Sequence, residues 1–146
     1  VIYMQDRYYA PAIKEFQMAV LLDPNTQASS VYYANLANCY MKIGYPALAQ
    51  DTLQRAIKLN PMNFGLYQDL AVVYKRLGIG SQKIKTYKKE SEKNPLAQVM
   101  VGMILMEQGK TDEGLAKLQE FAYTEPDLII TKGVQKYIDE HTKEKF

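Results

Sequence analysis

Residues 33–63 of the chain read YANLANCYMKIGYPALAQDTLQRAIKLNPMN. The stretch contains two amphipathic helical patterns, a turn centred on Gly44 between them, and a closing Asn60-Pro61. Five residues of this region recur as the same residue type 34 positions later: Tyr33, Leu36, Tyr40, Gly44 and Pro61 are matched by Tyr67, Leu70, Tyr74, Gly78 and Pro95. A period of this length is typical of a stacked array of helix pairs, in which each unit buries its apolar face only against its neighbours.

The composition is that of a folded globular chain without unusual chemistry. Its 146 residues are 47% hydrophobic and 23% charged, which suits one compact domain. The formal net charge of +2 is too small to indicate a nucleic acid or membrane partner by itself. No apolar run approaches the roughly 20 residues of a membrane span. Because Val1 already lies within a helical pattern, we interpret the chain as a piece of a longer protein.

The helical pattern extends outward from the opening stretch in both directions. We predict a helix tail over residues 1–5, a helix over 8–22 with Pro11 in its first turn, and N-caps for the next helix at Ser29 or Ser30. Beyond Pro95 the period shortens to 31 residues, so that the fourth pair has a shorter first helix. The amphipathic segment 127–143 has the pattern of a terminal capping helix.

These residues resemble the tetratricopeptide repeat family, whose repeats carry an aromatic, Leu-Gly/Ala, Tyr, a turn Gly, two Ala and a closing Pro. Residues 33–61 supply the pattern almost completely, whereas the next repeat has Lys83 and Glu90 where alanines are usual. The resemblance implies an all-α, right-handed superhelical solenoid of antiparallel helix pairs, forming a single domain over residues 1–146. Its predicted parts are a partial repeat (1–26), repeats at 30–63 and 64–95, a shortened repeat (96–126), and a capping helix with tail (127–146).

The resemblance also implies where a partner would bind, because the first helices of successive repeats line a concave groove in this family. Carried over by repeat position, the partner-binding residues are Asn35, Asn38, Met41, Lys42, Gln68, Asp69, Val72, Lys75, Arg76, Met100, Met103 and Met106. Asparagine is unfavourable in the middle of a helix, and its amide can hydrogen-bond in both directions to a peptide backbone. The alternative for Asn35 and Asn38 is two plain solvated polar positions.

The three methionines follow each other at intervals of three residues and therefore form a stripe on one helix face. Flexible thioethers suit an adaptable apolar surface for a partner helix, but they suit core packing of a short helix equally well. The carboxylate clamp by which some family members hold chaperone tails is not reproduced. Of its positions only Asn38 matches, and Asp69 would repel a carboxylate.

Two other functions compete with binding of a protein or peptide. A basic run on the second helix of the third repeat indicates either a solvated convex face or binding to nucleic acid or another anionic surface; it contains Lys83, Lys85, Lys88, Lys89 and Lys93. The truncated first repeat could also mediate self-association of a structural spacer.

Catalysis has little support in the sequence. His141 is the only histidine and lies close to the C-terminal end, and Cys39, the only cysteine, occupies a helix position that is usually small and buried. The glycines are scattered as turn residues and form no phosphate-binding loop. We therefore expect a non-catalytic protein without metal, cofactor or small-molecule substrate.

Overall fold

The computed structural model describes residues 2–143, and it describes the side chains of residues 8–142. This part of the chain contains eight α-helices and no β-strand. The helices are α1 (Ile2–Leu22), α2 (Ser29–Lys42), α3 (Pro46–Leu59), α4 (Phe64–Leu77), α5 (Gly80–Glu90), α6 (Leu96–Glu107), α7 (Thr111–Thr124) and α8 (Ile129–Lys143). The predicted all-α helical repeat fold is therefore confirmed.

Contacts divide the chain into two compact units, residues 1–61 and residues 62–146. In the first unit, α2 packs against both α1 and α3. In the second unit, α6 packs against α4, α5 and α7, while α8 contacts α7 and also reaches α4.

The first helix differs from the prediction. We expected a break between residues 5 and 8, whereas α1 continues from Ile2 to Leu22 with Pro11 in its interior. A proline inside a helix costs about 3 kcal/mol, because it removes a hydrogen bond and its ring clashes with the carbonyl group four residues earlier. The Pro11 side chain is exposed, so its ring occupies the solvent side of α1.

The two serines before α2 also have a different role from the one predicted. The N-cap position of α2 is Ala28, whose side chain makes no capping hydrogen bond, and Oγ1 of Thr26 accepts from the N–H of Ser29 at 3.3 Å instead. Ser29 is fully buried, and its Oγ donates to the carbonyl oxygen of Thr26 at 2.6 Å. Ser30 Oγ donates to the carbonyl oxygen of Gln27 at 2.7 Å. Both serines therefore fix the preceding loop instead of capping the helix.

The turn glycines have the predicted conformation. Gly78 follows α4 with φ of +72°, in the left-handed region. Its N–H donates to the carbonyl oxygen of Lys75, and the N–H of Ile79 donates to that of Tyr74. This pair of hydrogen bonds is the Schellman motif, which satisfies carbonyl groups at the end of a helix.

Substitution of Gly78 by alanine is expected to lower the free energy of unfolding by about 1 kcal/mol, because a Cβ atom disfavours the left-handed conformation. No neighbouring atom lies within 4 Å of the position of that Cβ, so the loss reflects backbone conformation alone. Urea denaturation followed by circular dichroism measures it. Gly78→Asn is the matched control and should lose less, since asparagine tolerates this conformation. Equal losses for the two variants would contradict this explanation.

Small residues allow α2 and α3 to approach closely. Ala37, Ala49 and Ala56 are each at most 1% exposed, and Leu53 is 2% exposed. Cys39 is buried in the same helix as Ala37, and burial raises the pKa of its thiol, which keeps it protonated. The alanines of the predicted repeat therefore lie in the core of the first unit.

Candidate partner-binding surfaces

The first candidate surface is the polar face of α2, formed by Asn35, Asn38, Met41 and Lys42. Both asparagines and Lys42 are exposed, and Met41 is half-buried. The opposite side of the helix is anchored in the core through residues such as Leu36, which is 5% exposed. Asn35 and Asn38 lie one turn apart and therefore share one side of the helix. Neither side-chain amide bonds to a residue in the described part of the chain, so both can bind an external group.

The second candidate surface is the mixed face of α4, formed by Gln68, Asp69, Val72, Lys75 and Arg76. Gln68 is half-buried, and the other four side chains are exposed. Val72 is 43% exposed, although the helix buries its other side almost completely. The face thus places one apolar side chain between an acidic group and two basic groups. The two cations lie in the last turn of α4, where they complement the helix dipole.

The ionised form of the Asp69 carboxyl group is disfavoured at its position on this face. Partial burial of its carboxyl group raises its pKa above the ordinary value of 3.8, because desolvation disfavours the charged form. A carboxyl group whose pKa is higher in the folded state than in the unfolded state stabilises the folded state at low pH, where the group is protonated. This stabilisation is lost as the pH rises from the unfolded-state pKa through the folded-state pKa. At neutral pH the ionised Asp69 therefore opposes folding.

Asp69→Asn is accordingly expected to raise the urea midpoint of unfolding at pH 7 and to leave it nearly unchanged below the unfolded-state pKa of Asp69. Asp127→Asn, at an exposed site in the same unit, is the control for the removal of one negative charge. A gain for Asp69→Asn that is the same at both pH values would show that desolvation of the carboxylate is not its cause.

The methionine stripe lies in a different environment from the two faces described above. Met100 and Met103 are 1% and 2% exposed, while Met106 is half-buried. Eight of the twelve residues of α6 are buried, on all sides of the helix. In this structure Met100 and Met103 therefore present no surface to a partner. Their thioethers fill the core of the second unit, and only Met106 approaches solvent.

The five lysines of the basic run on α5 differ in their exposure to solvent. Lys85, Lys88, Lys89 and, beyond the helix, Lys93 are exposed. Lys83 is half-buried, with its Nζ 5.5 Å from the ring centroid of Tyr74. This cation–π contact uses one of the five lysines in packing within the unit. The exposed Glu90 and Glu92 interrupt the remaining positive charge.

The two residues considered for catalysis belong to different units. His141 is half-buried on α8, where its Nδ1 lies 2.8 Å from the carbonyl oxygen of Tyr137, and Cys39 is buried in the first unit. Among the described residues, no group of three or more His, Cys, Asp or Glu side chains could hold a metal ion. The described helices include none that is both long enough and apolar enough to cross a membrane.

Comparison with known proteins agrees with the repeat pattern. Residues 31–63 match the family model of the tetratricopeptide repeat. These residues coincide with the repeat that was predicted at 30–63, so the resemblance to this family is confirmed. No curated protein matches the chain in sequence.

Several solved structures are similar over most of the chain. A crystal structure of MamA protein is 27% identical, covers 85% of this chain and 68% of that one, and aligns with a TM-score of 0.51. A second MamA crystal structure covers 97% and 95% with 18% identity and a TM-score of 0.52. A thermophilic TPR protein of Thermus thermophilus covers 89% and 71% with 19% identity and a TM-score of 0.51. The fold thus resembles that of a tetratricopeptide repeat array.

Proposed function

We propose that the chain is a non-catalytic scaffold that binds a peptide or helical segment of a protein partner, as part of a larger assembly. The proposed contacts are the polar face of α2 and the mixed face of α4. The observation that carries the proposal is the pair of exposed mid-helix amides at Asn35 and Asn38, which have no bonding partner in the described chain. The family resemblance supports this location, because first helices line the binding groove of such arrays.

Asparagine is unfavourable for helix stability at both of these mid-helix positions. Each lowers helix stability by roughly 0.6 kcal/mol relative to alanine. Their Cα atoms are separated by about 4.5 Å along the helix axis, which lies between one and two residue steps of an extended chain, about 3.3 and 6.6 Å. Each amide offers both a donor and an acceptor, so the pair can bond to the backbone of a peptide whatever its side chains are. Held on a packed helix, the amides lose little conformational entropy on binding.

The mixed face of α4, in the second unit, is a separate candidate contact with a selectivity of its own. The exposed Val72 is an apolar contact point, while Lys75 and Arg76 attract acidic side chains and Asp69 repels them. We therefore propose that a partner segment bound at this face carries an apolar side chain next to an acidic one. Arg76 is the better anchor of the two cations, because a guanidinium group can bind a carboxylate in a bidentate manner.

The test is retention of a co-purifying protein by the Asn35→Ala/Asn38→Ala variant. We expect the affinity of the partner to fall by about tenfold or more, as for the loss of two hydrogen bonds near 1 kcal/mol each. We also expect the free energy of unfolding to rise, since alanine favours the helix. Asn25→Ala, which removes an exposed amide from a loop of the same unit, is the control. Unchanged affinity of the double variant would contradict the proposed role of the α2 face.

A further inference from the structure

A cavity of about 460 Å³ lies within the second unit and is lined by residues of α4, α5 and α6. Helix α6 packs against both of the others. Ala71 and Ile104, which are 0% and 1% exposed, form the apolar part of the lining. A Cβ atom at Gly80 would lie 3.0 Å from Nε2 of Gln108 and 3.2 Å from Cγ2 of Ile104. The missing side chain at Gly80 therefore allows the start of α5 to pack against the end of α6.

Three helix ends meet at this cavity. Helices α4 and α6 end there, at Leu77 and Glu107, and α5 begins there at Gly80. The carboxyl end of a helix carries about half a negative charge, and the amino end carries about half a positive charge. Because two negative ends and one positive end surround the cavity, the backbone favours a cation within it.

The polar side chains at the cavity include acceptors that the protein does not use. Oε1 of Gln108 is buried and has no hydrogen-bond partner in the described part of the chain, although Nε2 of the same amide donates to Oγ of Ser81 at 3.2 Å. A buried acceptor without a partner is unfavourable and rare. The half-buried carboxylate of Glu107 forms no ion pair with another described residue. A donor group that enters the cavity would satisfy both acceptors.

Lys75 also lines the cavity, but it does not neutralise the carboxylate. Its side chain is exposed and forms no ion pair with Glu107 or with another described residue. The long stem of a lysine allows the ammonium group to remain in water. The charge of Lys75 should nevertheless weaken the binding of a second cation nearby.

We propose that this cavity binds the guanidinium group of an arginine in the partner segment. This proposal rests on the proposed function, and it places a basic residue beside the acidic residue that Lys75 or Arg76 attracts. A guanidinium group has five N–H donors in one plane, so it can bond to the carboxylate of Glu107 and to Oε1 of Gln108 together. Its weak hydration favours entry into a partly buried site, and its methylene groups pack against the apolar lining.

The test uses N-acetyl-arginine amide as the probe, titrated into the full chain and followed through the backbone amide NMR signals of residues 78–82 and 107–110. We expect saturable shifts at these residues with a dissociation constant of about 1 mM, as is reasonable for a ligand of this size. N-acetyl-citrulline amide has nearly the same shape without the charge and should bind at least about tenfold more weakly. N-acetyl-lysine amide should also bind more weakly. Equal or tighter binding of either compound would overturn the assignment of arginine.

Charge variants should change the affinity for the arginine probe in opposite directions. Glu107→Gln removes the carboxylate and should lower the affinity about tenfold. Lys75→Met removes the like charge and should raise the affinity about threefold. Gln108→Met has nearly the same volume without Oε1 and should lower the affinity about threefold. Glu120→Gln, at an exposed position on α7, is the control and should leave the affinity unchanged.

Absence of saturable shifts at the cavity would overturn the proposal, as would a Glu107→Gln variant that keeps its amide spectrum and its full affinity for the probe. The probe requires no protein partner, so this result is separable from the test of the α2 face. A protein retained through Asn35 and Asn38, without any binding of the probe, would reject the arginine site alone. Binding of the probe without any retained protein would reject the proposed function alone.

Discussion

Replacement of Met103 by glutamate is expected to destabilise the second unit by about 4 kcal/mol or more, enough to unfold a domain of ordinary stability. Met103 is 2% exposed in a helix that is buried on all sides, so no rotamer brings a carboxylate at this position to water without displacing neighbours. Burial raises the pKa of such a group, and folding must either desolvate the charge or bind a proton. The loss should therefore be larger at pH 8 than at pH 5.

Two matched substitutions separate core packing from surface contact. Met106→Glu lies one turn further along the same stripe at a half-buried position, and Val72→Glu lies at a 43% exposed position on α4. Both should change the free energy of unfolding by less than about 1 kcal/mol. Urea denaturation followed by circular dichroism gives all three values. Normal stability of Met103→Glu would show that Met103 is not enclosed in the way described here.

Substitution of Gly114 by alanine is expected to lower the free energy of unfolding by about 2–3 kcal/mol. At an unobstructed helix position the same change would stabilise the protein by about 1 kcal/mol. At Gly114, however, a Cβ atom would lie 2.7 Å from Sδ of Met106 and 2.9 Å from the carbonyl oxygen of Gly102. The methionine can move, but the carbonyl belongs to the backbone of α6, so α6 and α7 would have to separate.

Gly102→Ala provides the comparison for this prediction. The nearest obstacle there is a side chain, with Cδ2 of Leu118 2.7 Å away and the carbonyl oxygen of Gly114 at 3.3 Å. Combining Gly102→Ala with Leu118→Ala should recover part of the loss relative to the sum of the single variants, because alanine lacks the Cγ and Cδ2 atoms that lie 2.8 and 2.7 Å from the new Cβ atom. No comparable recovery is expected when Gly114→Ala is combined with Met106→Ala. Thermal unfolding of the four variants distinguishes the two cases. Equal recovery in both pairs would show that the backbone contact is unimportant.

The helix pairs and their turns could be predicted because they depend on local sequence. The positions of Gly44 and Gly78 specify left-handed turns, and both have positive φ. The continuity of α1 could not be predicted in this way. Whether a helix passes through Pro11 depends on which side of it faces solvent, and this is decided by packing against α2.

The position of the methionine stripe could not be predicted from periodicity alone. The spacing of Met100, Met103 and Met106 assigns them to one face of a helix, but it does not say what lies against that face. In the structure Met100 and Met103 are buried in the core of the second unit, and Met106 is half-buried. The positions predicted on α2 and α4 are exposed or half-buried, whereas the equivalent positions of α6 are buried, a difference that repeat position alone does not reveal.

The most direct test of partner binding is photocrosslinking from single positions in the folded protein. A photoreactive phenylalanine analogue is placed at Asn38, on the polar face of α2, or at Lys58, an exposed position on α3 of the same unit. The adducts formed with the co-purifying partner are then identified by mass spectrometry. We predict a saturable adduct from position 38 that involves one segment of one protein, and none from position 58. The same adduct from position 58, or none from position 38, would contradict binding at the polar face of α2.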